Sequence, residues 1–390
     1  MNIRRQLCRQ AGRSRAALAL AALLMLPVGM SAQAWSWKTE TLDKDGRYTK
    51  LGVDARGNLH ISYLNEAEGI KYGFRPAGSS QWFTMVIDGW HGQSNMSTSI
   101  AVDLQGNPHI CYTDSQMKYA HWDGQNWHIE QIAPGSGLIA YSCSVVVAPD
   151  GVPQLIWYQV DYGEQTNYLH LRHAIRQDGL WLARTVDFGG ETGKWNLMVL
   201  DADARPHISY SEYHKGLKYA RWDGKNWTVT MVDARGRGGS TYRGMGNALA
   251  LDKNGNPLIS YFDIEERTLK FARWQGNRWL IESLDRLSPA VGVGWVAWRS
   301  SLVVDQRGFP HIVYGDFGAL KHAYWDSKQW HIQVIDKGGA GQYRYSSLAI
   351  GSEDTLYVSY QDAADGSLKI ATGRLTPDVQ TAASEKKKEN

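Results

Sequence analysis

Cysteine is scarce in this chain, three residues among 390, and one of them, Cys8, lies in the first segment. The other two, Cys111 and Cys143, have no Cys-x-x-Cys neighbour, which excludes the usual zinc-ribbon arrangement. In a compartment that permits disulfides they read equally as a bridge or as two buried thiols, because sequence does not supply the Cα separation. Long hydrophobic runs are nearly absent too. The one apolar run considered as a possible span, residues 16–26, is short and no second follows, so no transmembrane segment is expected in the mature chain. Sustained helical periodicity is missing after residue 34, which leaves an all-β protein.

The short apolar run belongs to a leader. Arginines at 4, 5, 9, 13 and 15 precede it, Pro27 and Gly29 follow, and small residues Ala32 and Ala34 flank Gln33. That is the layout of a signal peptide over residues 1–34, cleaved after Ala34, and it implies a periplasmic or extracellular protein. Arg4-Arg5 followed by Leu7 hints at twin-arginine export, and the position of Cys8 is not that of a lipoprotein cysteine. Loss of five arginines and no acid takes the formal charge from +3 to −2. A near-neutral mature chain lacks the basic footprint of a nucleic-acid binder.

What is present is repetition. "MKYAHWDGQNW" at Met117 returns as "LKYARWDGKNW" at Leu217, "LKFARWQGNRW" at Leu269 and "LKHAYWDSKQW" at Leu320. A tyrosine column runs Tyr63, Tyr112, Tyr158, Tyr210, Tyr261, Tyr314 and Tyr360, and a tryptophan column runs Trp37, Trp82, Trp127, Trp181, Trp227, Trp279 and Trp330. A period near fifty residues with four short strands per repeat is the signature of propeller blades. "WKTETLD" at Trp37 matches the fourth strand of a repeat but comes first in the chain, while the last repeat stops after its third strand. The expected fold is therefore a seven-bladed β-propeller of four-stranded blades over residues 35–375, closed by its N-terminal strand. Residues 376–390, poor in apolar side chains and carrying a lysine run, read as a disordered tail.

The columns themselves read as packing, because one tryptophan per blade at the start of the outermost strand suits the space between blades. Acids after the tyrosines (Asp114, Glu212, Asp263, Asp316, Asp362) are each followed by a lysine opening the third strand (Lys118, Lys218, Lys270, Lys321, Lys369), which predicts a structural ion pair across each hairpin. Histidines 60, 109, 207 and 311 begin second strands and read as satisfied structural residues. "HLRH" from His170 and the pairs His121/His128 and His322/His331 are loose metal-ligand patterns, and no metal centre or cofactor is expected.

Departures from the repeat point to function. The loops from fourth to next first strand, and those between second and third strands, vary and share one face. They carry Arg47, Trp90, His91, Trp195, Tyr213, His214, Tyr242, Arg243, Trp298, Arg299, Tyr343 and Arg344. Aromatic faces stack on sugars and arginine forks hold carboxylate or sulfate, so these residues form the candidate binding site, with a plugged channel mouth as the structural alternative.

The turns "WDGQNW", "WDGKNW", "WQGNRW" and "WDSKQW" resemble the Ser-x-Asp-x-Gly-x-Thr-Trp box of sialidase-like, bacterial-neuraminidase-repeat propellers, which sits at the same hairpin, although the spacing is shorter and the Ser and Thr positions are missing. The resemblance spans the mature chain and implies the propeller architecture. The arginine triad, tyrosine–acid pair and aspartate of sialidases have no residue-by-residue counterpart, so it implies no activity. The leading expectation is an exported noncatalytic protein that binds a glycan or other extracellular ligand. A polysaccharide lyase or glycoside hydrolase is the alternative, with Arg243 or Arg344 as the cation and His91, His214 or Tyr213 as the base. A scaffold that binds another exported protein is the third.

Overall fold

The computed structural model describes residues 35–376, apart from residues 90–96, 115, 133–137, 163–166, 189, 235–242 and 290–298. Seven antiparallel sheets follow one another along the chain. Blade I holds Arg47–Val53, Leu59–Asn65, Gly69–Arg75 and Phe83–Gly89; blade II holds Ser97–Val102, Pro108–Thr113, Met117–Trp122 and Trp127–Gln131. Blade III holds Leu138–Val147, Pro153–Tyr162, Asn167–Gln177 and Leu180–Phe188; blade IV holds Thr192–Leu200, Pro206–Glu212, Gly216–Trp222 and Trp227–Ala234. Blade V holds Arg243–Leu251, Pro257–Asp263, Thr268–Gln275 and Arg278–Arg286. Blade VI holds Ser300–Val304 and Trp330–Gln342, with its second and third strands running together through Pro310–Trp325. Blade VII holds Arg344–Ile350, Leu356–Gln361 and Leu368–Leu375, and Trp35–Asp43 completes it as fourth strand, with Trp35 opposite Leu375 and Asp43 opposite Leu368. The chain is the all-β seven-bladed propeller that its repeats predict, and no helix among the described residues is long and apolar enough to cross a membrane.

Period-2 alternation makes each blade apolar on both faces of its inner strands, and neighbouring blades bury those faces against each other. Ile61, Ile110, Ile208, Ile259 and Ile312 are fully buried at the same place in successive blades. The tryptophans of blades II to VI pack back on the third strand of the preceding blade, Trp279 against Tyr219 among them. Trp127 meets Tyr72 with ring centroids 5.2 Å apart, Trp181 meets Tyr119 at 5.0 Å, Trp227 meets His173 at 5.3 Å and Trp330 meets Phe271 at 5.0 Å, all edge-on.

The tyrosine column closes a second seam. Tyr63 donates to Asp43 of the preceding blade (2.8 Å), Tyr112 to Asp88 (2.8 Å), Tyr210 to Asp187 (2.8 Å), Tyr261 to Asp233 (2.6 Å), Tyr314 to Asp285 (2.7 Å) and Tyr360 to Asp336 (2.7 Å). The expected lysine–acid pairs form, and most are larger than expected. Lys218 bridges Glu212 of its own blade (2.5 Å) and Asp187 of the previous one (2.7 Å), and Lys118 and Lys321 do the same with Asp114/Asp88 and Asp316/Asp285. In blade I, where Asn65 stands at the acid position, Glu68 and Asp43 hold Lys71. These buried carboxylate–lysine–carboxylate groups lie at the end of the blades that carries the variable loops.

Blade III breaks the column, and the residue at the tyrosine position is Trp157, not Tyr158. Leu155 and Trp157 stand where Ile208 and Tyr210 stand in blade IV, and Trp157 is fully buried. Its indole donates to Gln159 (3.0 Å), which donates to Asp161 (2.7 Å), so the phenol–aspartate bond is replaced by a chain within the blade. The aspartate's position falls at Ala133, outside the described residues. The interface between blades II and III thus has no tyrosine–aspartate latch, and it is the one bridged by the Cys111–Cys143 disulfide, Cα atoms 6.3 Å apart. Cys111 occupies the place where other blades put a serine bonded to the next blade: Ser62 to Thr98 (3.0 Å), Ser209 to Asn247 (2.6 Å), Ser260 to Ser300 (2.8 Å). The bridge is a covalent version of that polar pair.

Candidate binding site at the channel mouth

The seven first strands surround a channel with a cavity of about 420 Å³. One residue per blade lines it at the same level: Lys50, Ser99, Ser144, Leu197, Ala248, Ser301 and Ser347. First strands of different blades share no ladder, so the serines seal the wall. Ser99 accepts the N–H of Val145, Ser144 that of Met198, Ser301 that of Leu348 and Ser347 that of Leu51, at 2.8–3.3 Å. Leu197, Ala248 and Lys50 have no side-chain oxygen to accept an N–H, and of the seven only Lys50 is charged. Its ammonium has no acceptor among the described residues, and burial together with the charge of Arg299 lowers it to about 7.

Towards the loop face the first strands bulge. Register shifts separate Arg47 from Lys50, Tyr141 from Cys143, Lys194 from Leu197, Met245 from Ala248 and Arg344 from Ser347. Tyr48, Ser142, Trp195, Gly246 and Tyr345 take positive φ there, an unfavourable backbone for aromatics that a rigid surrounding ladder must hold. Arg299 is at the same place in blade VI. The rings of Tyr48 and Tyr345 meet at 4.4 Å, and Arg299 lies beside both. Its Nε is buried with no hydrogen-bond partner among the described residues.

Of the residues expected from sequence, Arg299 and Trp195 belong to this collar. Arg344 is exposed beside Tyr345 and has no carboxylate partner among the described residues. Arg47 is already neutralised by Glu66 and by Asp45 at 3.7 Å. Tyr343 is buried between blades VI and VII against Tyr360 and offers no free face to a ligand. Tyr213 and His214 form a separate group on blade IV: their rings are 4.0 Å apart, and Lys194, ion-paired with Glu191, stands 4.8 Å over the Tyr213 ring and 5.8 Å over that of Tyr158. Trp90, His91, Tyr242 and Trp298, and the side chain of Arg243, lie outside the described residues.

The histidines are held in place by neighbours. His60, His109 and His207 touch the hydroxyls of Tyr72, Tyr119 and Tyr219 (2.5–2.8 Å) and face Asp54, Asp103 and Asp201 (3.4–3.6 Å), while His311 contacts His322 at 3.0 Å. Among the described residues no three His, Cys, Asp or Glu side chains converge as a metal site. A second cavity, about 540 Å³, lies outside the ring between blades I and II and is lined by Tyr72, Phe74, Phe83, Met85, Trp122 and Trp127.

No family model matches the sequence, and no curated protein matches it. The structure is similar to a protein of unknown function from Dyadobacter fermentans, with TM-score 0.52, 10% identity, and coverage of 87% of this chain and 99% of that one. It is similar to SapL1 lectin, solved with alpha methyl fucoside, with TM-score 0.50, 12% identity, and 75% and 97% coverage. An Aleuria aurantia lectin mutant, solved with alpha-methyl-L-fucoside, aligns with TM-score 0.48, 16% identity, and 77% and 98% coverage. At these identities the likeness is one of fold.

Proposed function

We propose that this protein is an exported, noncatalytic glycan-binding propeller whose ligand docks at the loop face over the channel. The observation that carries the reading is the collar, where the half-buried Trp195 and Tyr48, the latter backed by buried Tyr345, stand with Arg299, Arg344 and Lys50 beside bulges of a rigid wall. Aromatic faces there offer stacking surface to sugar rings and unpaired cations offer donors to sugar oxygens. A fold shared with SapL1 lectin, solved with alpha methyl fucoside, supports a carbohydrate in general and does not select one. Kinship with sialidase-like propellers remains part of the proposal, as does export through residues 1–34. A glycan array probed with the protein and with Trp195→Ala and Arg344→Ala tests it. Binding that both variants lose supports the mouth; no binding, or binding indifferent to both, rejects it.

A catalytic reading rests on the blade IV group, because Lys194, Tyr213 and His214 bring a cation, a phenol and an imidazole together. Incubation with uronate polymers separates the two readings: a lyase produces unsaturated ends that absorb in the ultraviolet, and a binding protein produces none.

A further inference from the structure

At the level where four blades place a serine that joins neighbouring first strands, blade I places Lys50, whose ammonium cannot accept an N–H and makes no side-chain hydrogen bond among the described residues. A structural lysine in this protein looks different: Lys71, Lys118, Lys218, Lys270 and Lys321 each hold two carboxylates. Lys50 and Arg299, by contrast, are two cations of the inner wall: Lys50 lines the channel two residues beyond Tyr48, and the Arg299 carbonyl accepts from Ser346, next to the Tyr345 whose ring meets Tyr48, with no carboxylate partner for either among the described residues. Two like charges on a partly buried wall with no counter-charge among the described residues are costly, and an anion bound at that wall reduces the cost. We propose that Lys50 and Arg299 form an anion site at the inner end of the mouth, which takes a carboxylate borne by an acidic sugar.

The Arg299 guanidinium, whose buried Nε has no hydrogen-bond partner among the described residues, supplies planar donors suited to a carboxylate, and Lys50 supplies a point charge on the channel wall. The other channel residues at this level are serines, Leu197 and Ala248, which carry no charge. Among the described residues the side chains beside Arg299 are the phenols Tyr48 and Tyr345, with Arg344 beside Tyr345. With Lys50 lowered to about 7, its protonation at neutral pH is incomplete, and a bound anion draws the missing proton onto it. Affinity therefore falls as pH rises, by about tenfold between pH 6 and pH 8 for one proton with a midpoint near 7.

The identity of the carrier as a sugar rests on the glycan reading; the anion site itself does not. Calorimetry with galacturonate, galactose and inorganic sulfate, on the wild type, Lys50→Met and Arg299→Gln, tests both. The expected result is galacturonate bound at least ten times more tightly than galactose, a preference that falls with pH and is lost in both variants. Equal affinity for the two sugars, unchanged in the variants, overturns the anion site and leaves the glycan reading standing. Sulfate binding lost in both variants, with neither sugar bound, supports the anion site and overturns its sugar ligand. Binding of none of the three overturns both. Lys50→Met removes a buried charge, so its thermal transition should not fall; Arg299→Gln supplies the second variant if it does.

Discussion

Replacing Cys111 and Cys143 by alanine removes the covalent staple from the one interface whose sequence lacks the tyrosine–aspartate latch. The bridge closes a loop of 32 residues. Chain entropy for a loop of that length amounts to about 3.7 kcal/mol at 25 °C. For a domain of this size the unfolding entropy near the transition is about 0.7 kcal/mol per kelvin, so the melting temperature should fall by about 5 °C. A Cys111→Ser/Cys143→Thr pair, patterned on Ser62 and Thr98, should lose about 1 kcal/mol less than the alanine pair, because a polar contact across the seam is restored. Guanidinium unfolding of the oxidised protein and of the two variants measures both quantities. A loss under about 1 kcal/mol for the alanine pair, or no difference between the variants, would refute the idea that the bridge substitutes for a missing latch.

Tyr210→Phe leaves Asp187 its lysine and should cost about 1 kcal/mol, whereas Lys218→Met takes the shared cation from half-buried Asp187 and buried Glu212, which keeps only Lys215, and should cost about 3 kcal/mol, both read by denaturant unfolding. Asp316 is pushed up by burial, but hydrogen bonds from Lys321 and the backbone N–H groups of Phe317 and Ser288, with the lysine charge, hold it below the ordinary carboxylate range. Its stabilisation is present above the unfolded value near 3.8 and is lost as pH falls through the lower folded value, so acid titration of stability should steepen below about pH 4, and less so in Asp316→Asn. Lys50 has the opposite sign: with its folded value near 7 and its ordinary value 10.5, the penalty is full below pH 7 and vanishes above 10.5. Lys50→Met should therefore stabilise the protein at pH 6 by about 2 kcal/mol after allowance for channel water, and by nothing near pH 10.5. Gly216→Ala, at φ +128° with its new Cβ 2.1 Å from the Asp233 carbonyl, should prevent blade IV from closing, seen as loss of the cooperative transition.

Blade number, strand order and N-terminal closure were legible because each repeats or completes a pattern, and the tryptophan column was legible because a wedge is needed at every seam. The shift to Trp157 was hidden by two adjacent aromatics, yet a signal existed: in blades II, IV, V and VI the tyrosine is four residues after proline, and four after Pro153 is Trp157. The aspartates that receive the tyrosine hydroxyls also stand in sequence, at the end of each fourth strand, but they belong to the neighbouring blade and only the ring brings them into contact. The collar was half legible. Trp195 and Arg299 stood out by residue type, whereas Tyr48, Tyr345 and Lys50 did not; Trp195 and these three sit within first strands, where bulges re-aim side chains in a way that alternation does not reveal.

The central claim is that ligand binds at the channel mouth, and a crystal structure of the protein with the tightest-binding array glycan tests it most directly. The account predicts a sugar ring against Trp195 or Tyr48 with a polar group turned towards Arg299. A sugar seated instead in the outer groove between blades I and II, against Phe83 and Trp127, would contradict it.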